Sequence, residues 1–137
     1  MNVRDLMTSD VVSVSPDASL TEAARAMRDQ MVGSVLVVEG RRLLGIASDR
    51  DIAVRGVAQG WNPNEHTVSE VMTSDPITVG ADDDPLEAAK VIGAAHVRRL
   101  PVVEDGNTVG IVSASDIADY IDEALAGLLE EMEKAIH

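Results

Sequence analysis

The chain has 137 residues, no cysteine and a net charge of −13. Without cysteine there is no disulfide, thiolate nucleophile or cysteine-ligated zinc, and so acidic a chain would be repelled by a nucleic-acid backbone. No apolar run approaches the ~20 residues of a membrane span. The opening MNVRDLMTSD carries charges where a signal peptide has its apolar stretch, so a soluble, cytoplasmic protein is expected.

In chain order, VVSV (Val11–Val14) reads as a short strand closed by Ser15-Pro16-Asp17. Ser19 then opens a helix, with Glu22 three residues on as in a capping box. Leu20, Ala23, Ala24, Met27 and Met31 are expected on one helical face. SVLVVE and LLGIAS form two strands around the tight turn GRR, an antiparallel hairpin. A helix follows from about Asp49 to Ala58. Gln59 to Thr67 reads as linker, and its Trp61 is expected to pin it to the body. PITV is the next strand, followed by a helix capped by Asp84 with Pro85 at its first position. A hairpin turns at Asp105-Gly106. A last helix runs from about Ala114 towards the C-terminus.

This order is one unit written twice. GIASDRD from Gly45 and GIVSASD from Gly110 are 65 residues apart. The same offset aligns VRDLMTSDVVSV with VSEVMTSDPITV and EAARAM with EAAKVI. It needs no gap from residue 3 to residue 53, and about 20 of those 51 positions are identical. The units are placed at 1–60 and 68–126, with a linker at 61–67 and a C-terminal extension of the last helix at 127–137. A 60-residue unit alone buries too little surface to be more than marginal, so two copies are expected to share a core.

The shared phrase Gly-Ile-x-Ser-x-x-Asp falls where a strand runs into a helix. Its glycine permits a close backbone approach. Ser48 and Ser113 sit near the helix start, where free N–H groups and a hydroxyl can hold an anion. Asp51 and Asp116 follow one turn later on the same face. Their carboxylates suit the paired hydroxyls of a ribose. Ordinary helix capping explains the same residues, and local chemistry leaves both readings open.

The duplicated β-α-β-β-α unit resembles the CBS domain, on VMTSDPITV, HVRRLPVVEDG and GIVSASDI in the second copy and LMTSDVVSVSPDASLTEAARAMRD and GIASDRDI in the first. The resemblance implies an α/β (α+β) fold, two repeats packed as one pseudo-twofold Bateman module. It also implies clefts between the copies for AMP, ADP, ATP, S-adenosylmethionine or NAD. Asp51 and Asp116 would then hold ribose, and Ser48 and Ser113 ribose or phosphate. Arg98 and Arg99 stand where the family often places phosphate-binding residues. Copy one has Gly33 and Ser34 there, with Arg50 as a substitute, so the second site is expected to be the better one. Ile77, Pro101, Leu100 and Val12 would offer apolar walls to an adenine, although each is also ordinary core.

No residues are expected to be catalytic or to bind metal. His66, His96 and His137 lack ligand spacing, and Asp84 in the run Asp82-Asp83-Asp84 serves as a cap. The expectation is a regulatory module, not an enzyme, that needs no cofactor and takes an adenosine nucleotide or S-adenosylmethionine as its ligand. Its output would pass through an unknown effector protein, with no nucleic acid or membrane partner. The alternative is an interaction module with degenerate, empty clefts. Along the last helix Ile117, Ile121, Leu125, Leu128 and Met132 form one apolar stripe. A homodimer with this helix at or near the interface is expected.

Overall fold

The computed structural model describes residues 1–136; His137, one of the three histidines considered above, lies outside the described residues. The first repeat forms β1 (Ser13–Val14), α1 (Leu20–Gln30), β2 (Ser34–Glu39) and β3 (Arg42–Ser48). A helical run follows, here α2. It is an α-helical turn at Asp49–Asp51, a π-helical stretch at Ile52–Gly56 and a 3-10 turn at Val57–Gln59. The second copy contributes β4 (Thr73–Ser74), β5 (Val79–Gly80), α3 (Pro85–Ala95), β6 (Arg99–Glu104), β7 (Asn107–Ser113) and α4 (Ala114–Ile136).

Local chemistry sets most of these boundaries. The Ser19 hydroxyl accepts from the Glu22 N–H at 3.0 Å, and the Asp84 carboxylate accepts from the Leu86 N–H at 2.9 Å. Such caps contribute about 1 kcal/mol each. Asp105 and Gly106 both take positive φ, 53° and 80°, as a two-residue hairpin turn requires. The expected strand at Val11–Val14 shortens to Ser13–Val14, and that at PITV, residues 76–79, shifts to Val79–Gly80, with Val79 alone in common.

The face of α1 also differs from expectation. Leu20, Ala23 and Met27 are buried and Ala26 packs beside them, but Ala24 and Met31 are exposed. The buried arc, at 100° per residue, centres near Ala23 and runs round to Ala26 rather than to Ala24. Met31 is the left-handed C-cap, φ 56°, so it has already left the helical face.

The chain forms two compact units, and they do not follow the repeat boundaries. One comprises Asp10–Pro76 and Glu104–Thr108; the other comprises Met1–Ser9, Ile77–Val103 and the chain from Val109 onward. Each copy's leading V-x-x-x-M-T-S segment therefore belongs with the other copy's body. In the first unit Val68 and Val71 join Leu20, Ala23, Val35, Val37, Ala47 and Ile52 in the core. In the second, Val3 is fully buried with Val79, Leu100, Val102, Val112 and Ile117. The backbone bonds match at the repeat offset. The Val3 N–H donates to Asp83 O at 2.9 Å and the Arg4 N–H to Ala81 O at 2.9 Å. The Val68 N–H donates to Ala18 O at 2.8 Å and the Ser69 N–H to Pro16 O at 3.4 Å. Burying a valine side chain contributes about 1.5–3 kcal/mol, so Val3 and Val68 act as anchors.

Within the first unit β1 runs parallel to β2, β2 pairs antiparallel with β3, and β4 pairs antiparallel with β3. Trp61 packs against this core and stacks on His66, ring centroids 4.0 Å apart. The segment 61–67 is thus pinned, as its tryptophan suggests. Within the second unit β5 runs parallel to β6. Ile117 and Ile121 of α4 pack on its core, while Leu125, Leu128, Leu129, Met132 and Ile136 are exposed. No helix among the described residues is long and apolar enough to cross a membrane.

Candidate functional site

The glycine of the repeated phrase explains itself first. A Cβ on Gly45 would lie 2.6 Å from Met72 Sδ and 2.7 Å from Thr73 O. On Gly110 it would lie 2.5 Å from Met7 Sδ and 2.9 Å from Thr8 O. The glycine is the seat on which the exchanged Met-Thr-Ser segment rests. That contact sits three residues before the serine, so seat and site share one strand in each copy.

At the end of β3, the Asp51 N–H donates to Ser48 Oγ at 3.0 Å, and the Ser48 N–H donates to Asp51 Oδ2 at 2.9 Å. This is a complete capping box. Ser34 lies directly opposite Ser48 on β2. The Asp49 N–H donates to Gly33 O at 2.9 Å, and the Arg50 N–H to Asp49 Oδ1 at 2.8 Å. The first three N–H groups of α2 are therefore all satisfied by the protein. Arg50 itself is exposed on this turn.

At the end of β7 the arrangement is more open. The Asp116 N–H donates to Ser113 Oγ at 3.1 Å, and Ser113 Oγ lies 3.1 Å from Ser115 Oγ. The Ala114 N–H donates to Arg98 O at 2.8 Å, the same bond that Asp49 makes to Gly33. It ties the arginine pair to the start of α4. Arg98, Arg99 and Asp116 are exposed. Among the described residues their side chains enter no ion pair, and the Asp116 carboxylate accepts no hydrogen bond.

The predicted residues thus fall into two groups. Ser48, Asp51 and Arg50 gather at one turn, and Ser113, Asp116 and Arg98 at the other, with Arg99 beginning β6. The apolar candidates divide. Ile77 is exposed, Val12 packs against the first core, and Leu100 and Pro101 are fully buried. As it stands, Pro101 presents no free face to an adenine.

Two nearby residues escaped the sequence reading. Ser115 brings a second hydroxyl to the turn of α4. Arg55 reaches back to Asp51, Nε to Oδ1 at 3.8 Å, and its Nη1 donates to Val71 O at 3.2 Å. The Asp51/Arg55 spacing of four on a helix was the available signal.

Chemically, the turns offer carboxylate acceptors for hydroxyls, hydroxyl groups, and guanidinium forks whose geometry matches phosphate. Among the described residues no group of three or more His, Asp or Glu side chains could hold a metal.

The CBS-domain family model matches residues 3–56 and 68–123. The CBS domain-containing protein YhcV of Bacillus subtilis is 43% identical over 118 residues, 85% of this chain and 83% of that protein. Hypoxic response protein 1 of Mycobacterium tuberculosis is 36% identical over 121 residues, 88% of this chain and 85% of that protein. The crystal structure of that protein with two coordinated zinc ions superposes with a TM-score of 0.80 at 35% identity, over 87% of this chain and 98% of the other. The CBS domain pair of protein MJ0100, in complex with 5′-methylthioadenosine and S-adenosyl-L-methionine, gives a TM-score of 0.78 at 27% identity, over 90% of this chain and 98% of the other. Both copies of the repeat are matched, seat glycine and Ser-x-x-Asp turn included, and the chain therefore belongs to the CBS-domain family as a tandem pair.

Proposed function

We propose that this chain is a regulatory sensor, not an enzyme, that binds an adenosine-containing ligand at its Ser-x-x-Asp turns, with the second repeat as the better site. The observation that carries the reading is the second turn. Asp116 has an uncommitted carboxylate for the ribose hydroxyls, beside two unpaired arginines for a phosphate or carboxylate tail. Ser113 and Ser115 add hydroxyls, and the N-terminus of α4, a helix of 23 residues, favours an anion. The adenosine compounds held by the MJ0100 pair support the class: AMP, ADP, ATP, S-adenosylmethionine or NAD. The ligand is regulatory, and no cofactor is required. Binding shifts a conformational population that an effector protein reads. The module is placed in the cytoplasm, as a homodimer with α4 at or near the interface.

A second reading, an interaction module with empty sites, is favoured by the exposed apolar stripe from Leu125 to Ile136. Calorimetry of the purified protein against adenosine, AMP, ADP, ATP, S-adenosylmethionine and NAD separates the two. Saturable binding of at least one supports the sensor; heats of dilution alone for all six refute it. Native mass spectrometry checks that the sites are not already filled.

A further inference from the structure

The two turns carry the same serine and aspartate, yet only one aspartate is held. Both oxygens of Asp51 are engaged. Oδ2 accepts from the Ser48 N–H at 2.9 Å, and Oδ1 faces Arg55 Nε at 3.8 Å. Arg55 is itself anchored, through Nη1 to Val71 O at 3.2 Å. Asp51 is only 20% exposed at its side chain while Arg55 is 54% exposed, so the carboxylate is largely withdrawn from solvent with the guanidinium against its remaining oxygen. At the repeat offset Arg55 becomes Tyr120, which cannot ion-pair, and Asp116 stands open.

We propose that Arg55 is an internal competitor for Asp51, the residue that makes the first site weaker than the second. The inference rests on the reading of Asp51 as a ribose carboxylate. A ribose diol needs carboxylate lone pairs that face it, and at Asp51 the oxygen left by the capping box already faces the guanidinium. A ligand must turn Arg55 aside to use it. The anchor adds a consequence. Val71 lies between Val68, an anchor of the exchanged segment, and Met72, which rests on Gly45. Turning Arg55 aside releases one of the bonds that hold this segment, so occupancy of the first site is coupled to the segment's seating.

The test uses adenosine, a neutral probe that has no phosphate for an arginine to hold. In an Asp116→Ala background only the first site remains. Arg55→Met keeps most of the aliphatic stem but removes the guanidinium, and circular dichroism confirms the fold. Half-exposed ion pairs are modest, so adenosine binding should tighten about threefold to fivefold, with Arg55→Lys in between. Unchanged or weaker adenosine binding in Arg55→Met overturns the proposal. A double-mutant cycle on urea stability with Asp51→Asn and Arg55→Met reads the contact without ligand, and no coupling there overturns it as well. If the coupling is present but adenosine binds no variant, the ribose reading fails and the competition with it, leaving a structural ion pair.

Discussion

Replacing Gly110 by alanine tests the exchange of leading segments on which both turns depend. The new Cβ would stand 2.5 Å from Met7 Sδ and 2.9 Å from Thr8 O. The sulfur ends a flexible side chain and can move. The carbonyl cannot move cheaply, because it accepts from the Ile111 N–H at 3.0 Å while the Thr8 N–H donates to Ile111 O at 2.8 Å. Relief therefore needs a backbone shift of about half an ångström and loosens that bridge, a cost of about 1–3 kcal/mol by the usual scale of overpacking. Against this, glycine-to-alanine at an ordinary backbone conformation stabilises by about 0.4–1 kcal/mol through the unfolded chain. Gly93, inside α3 with nothing within 4 Å of its added Cβ, isolates that second effect. Urea denaturation should thus show Gly110→Ala destabilised by about 1–2 kcal/mol and Gly93→Ala stabilised. Gly45→Ala, facing Thr73 O at 2.7 Å, should behave like Gly110→Ala. If Gly110→Ala is as stable as the parent, the segment does not rest where the structure puts it.

Arg98→Ala combined with Arg99→Ala should weaken AMP or ATP binding by roughly tenfold or more, since charge-assisted bonds contribute about 1.5–3 kcal/mol each, yet leave adenosine unchanged; equal losses for adenosine and ATP would make the pair structural. Glu70 is held below the ordinary glutamate range by the Thr67 N–H, 2.7 Å away, and then by His66, whose Nδ1 lies at 3.1 Å. Its stabilising effect is present above that range and is lost as the pH falls through the depressed value, because the unfolded chain takes its proton first. Glu70→Gln should flatten that part of an acid-unfolding curve, and an unaltered curve removes the assignment. Deleting residues 127–137 should lower the mass seen by light scattering from dimer towards monomer; an unchanged dimer excludes the tail as the main contact, and a monomeric full-length chain at micromolar concentration rules out the dimer.

Much of this fold is legible in the sequence because its signals are local. Ser19, Asp84 and the Asp105-Gly106 turn each fix an element boundary through atoms two or three residues away. The offset of 65 then doubles every such inference. What escapes is what depends on partners far along the chain. Val3 and Val68 read only as apolar, and nothing near them says which copy they enter. The seats of these segments are the glycines of the opposite copy, far along the chain. Met31 fits the periodicity of α1 but ends it as a left-handed cap. The π-helical stretch at Ile52–Gly56 carries no local marker, although it brings Gly56 against Leu20, where a Cβ would lie 2.8 Å from Cδ1. At the turns, residue type identified the serines and aspartates, but not that one carboxylate is covered and the other open.

That difference points to the most direct measurement of the central claim, calorimetric titration of adenosine and AMP into the parent chain, Asp116→Ala and Asp51→Ala. A hydrogen bond to a charged group contributes about 1.5–3 kcal/mol, or roughly 10- to 150-fold in affinity. Asp116→Ala should weaken the tighter binding event by such a factor, whereas Asp51→Ala should leave it nearly intact. Tight binding that survives Asp116→Ala, or equal losses in the two variants, would contradict it.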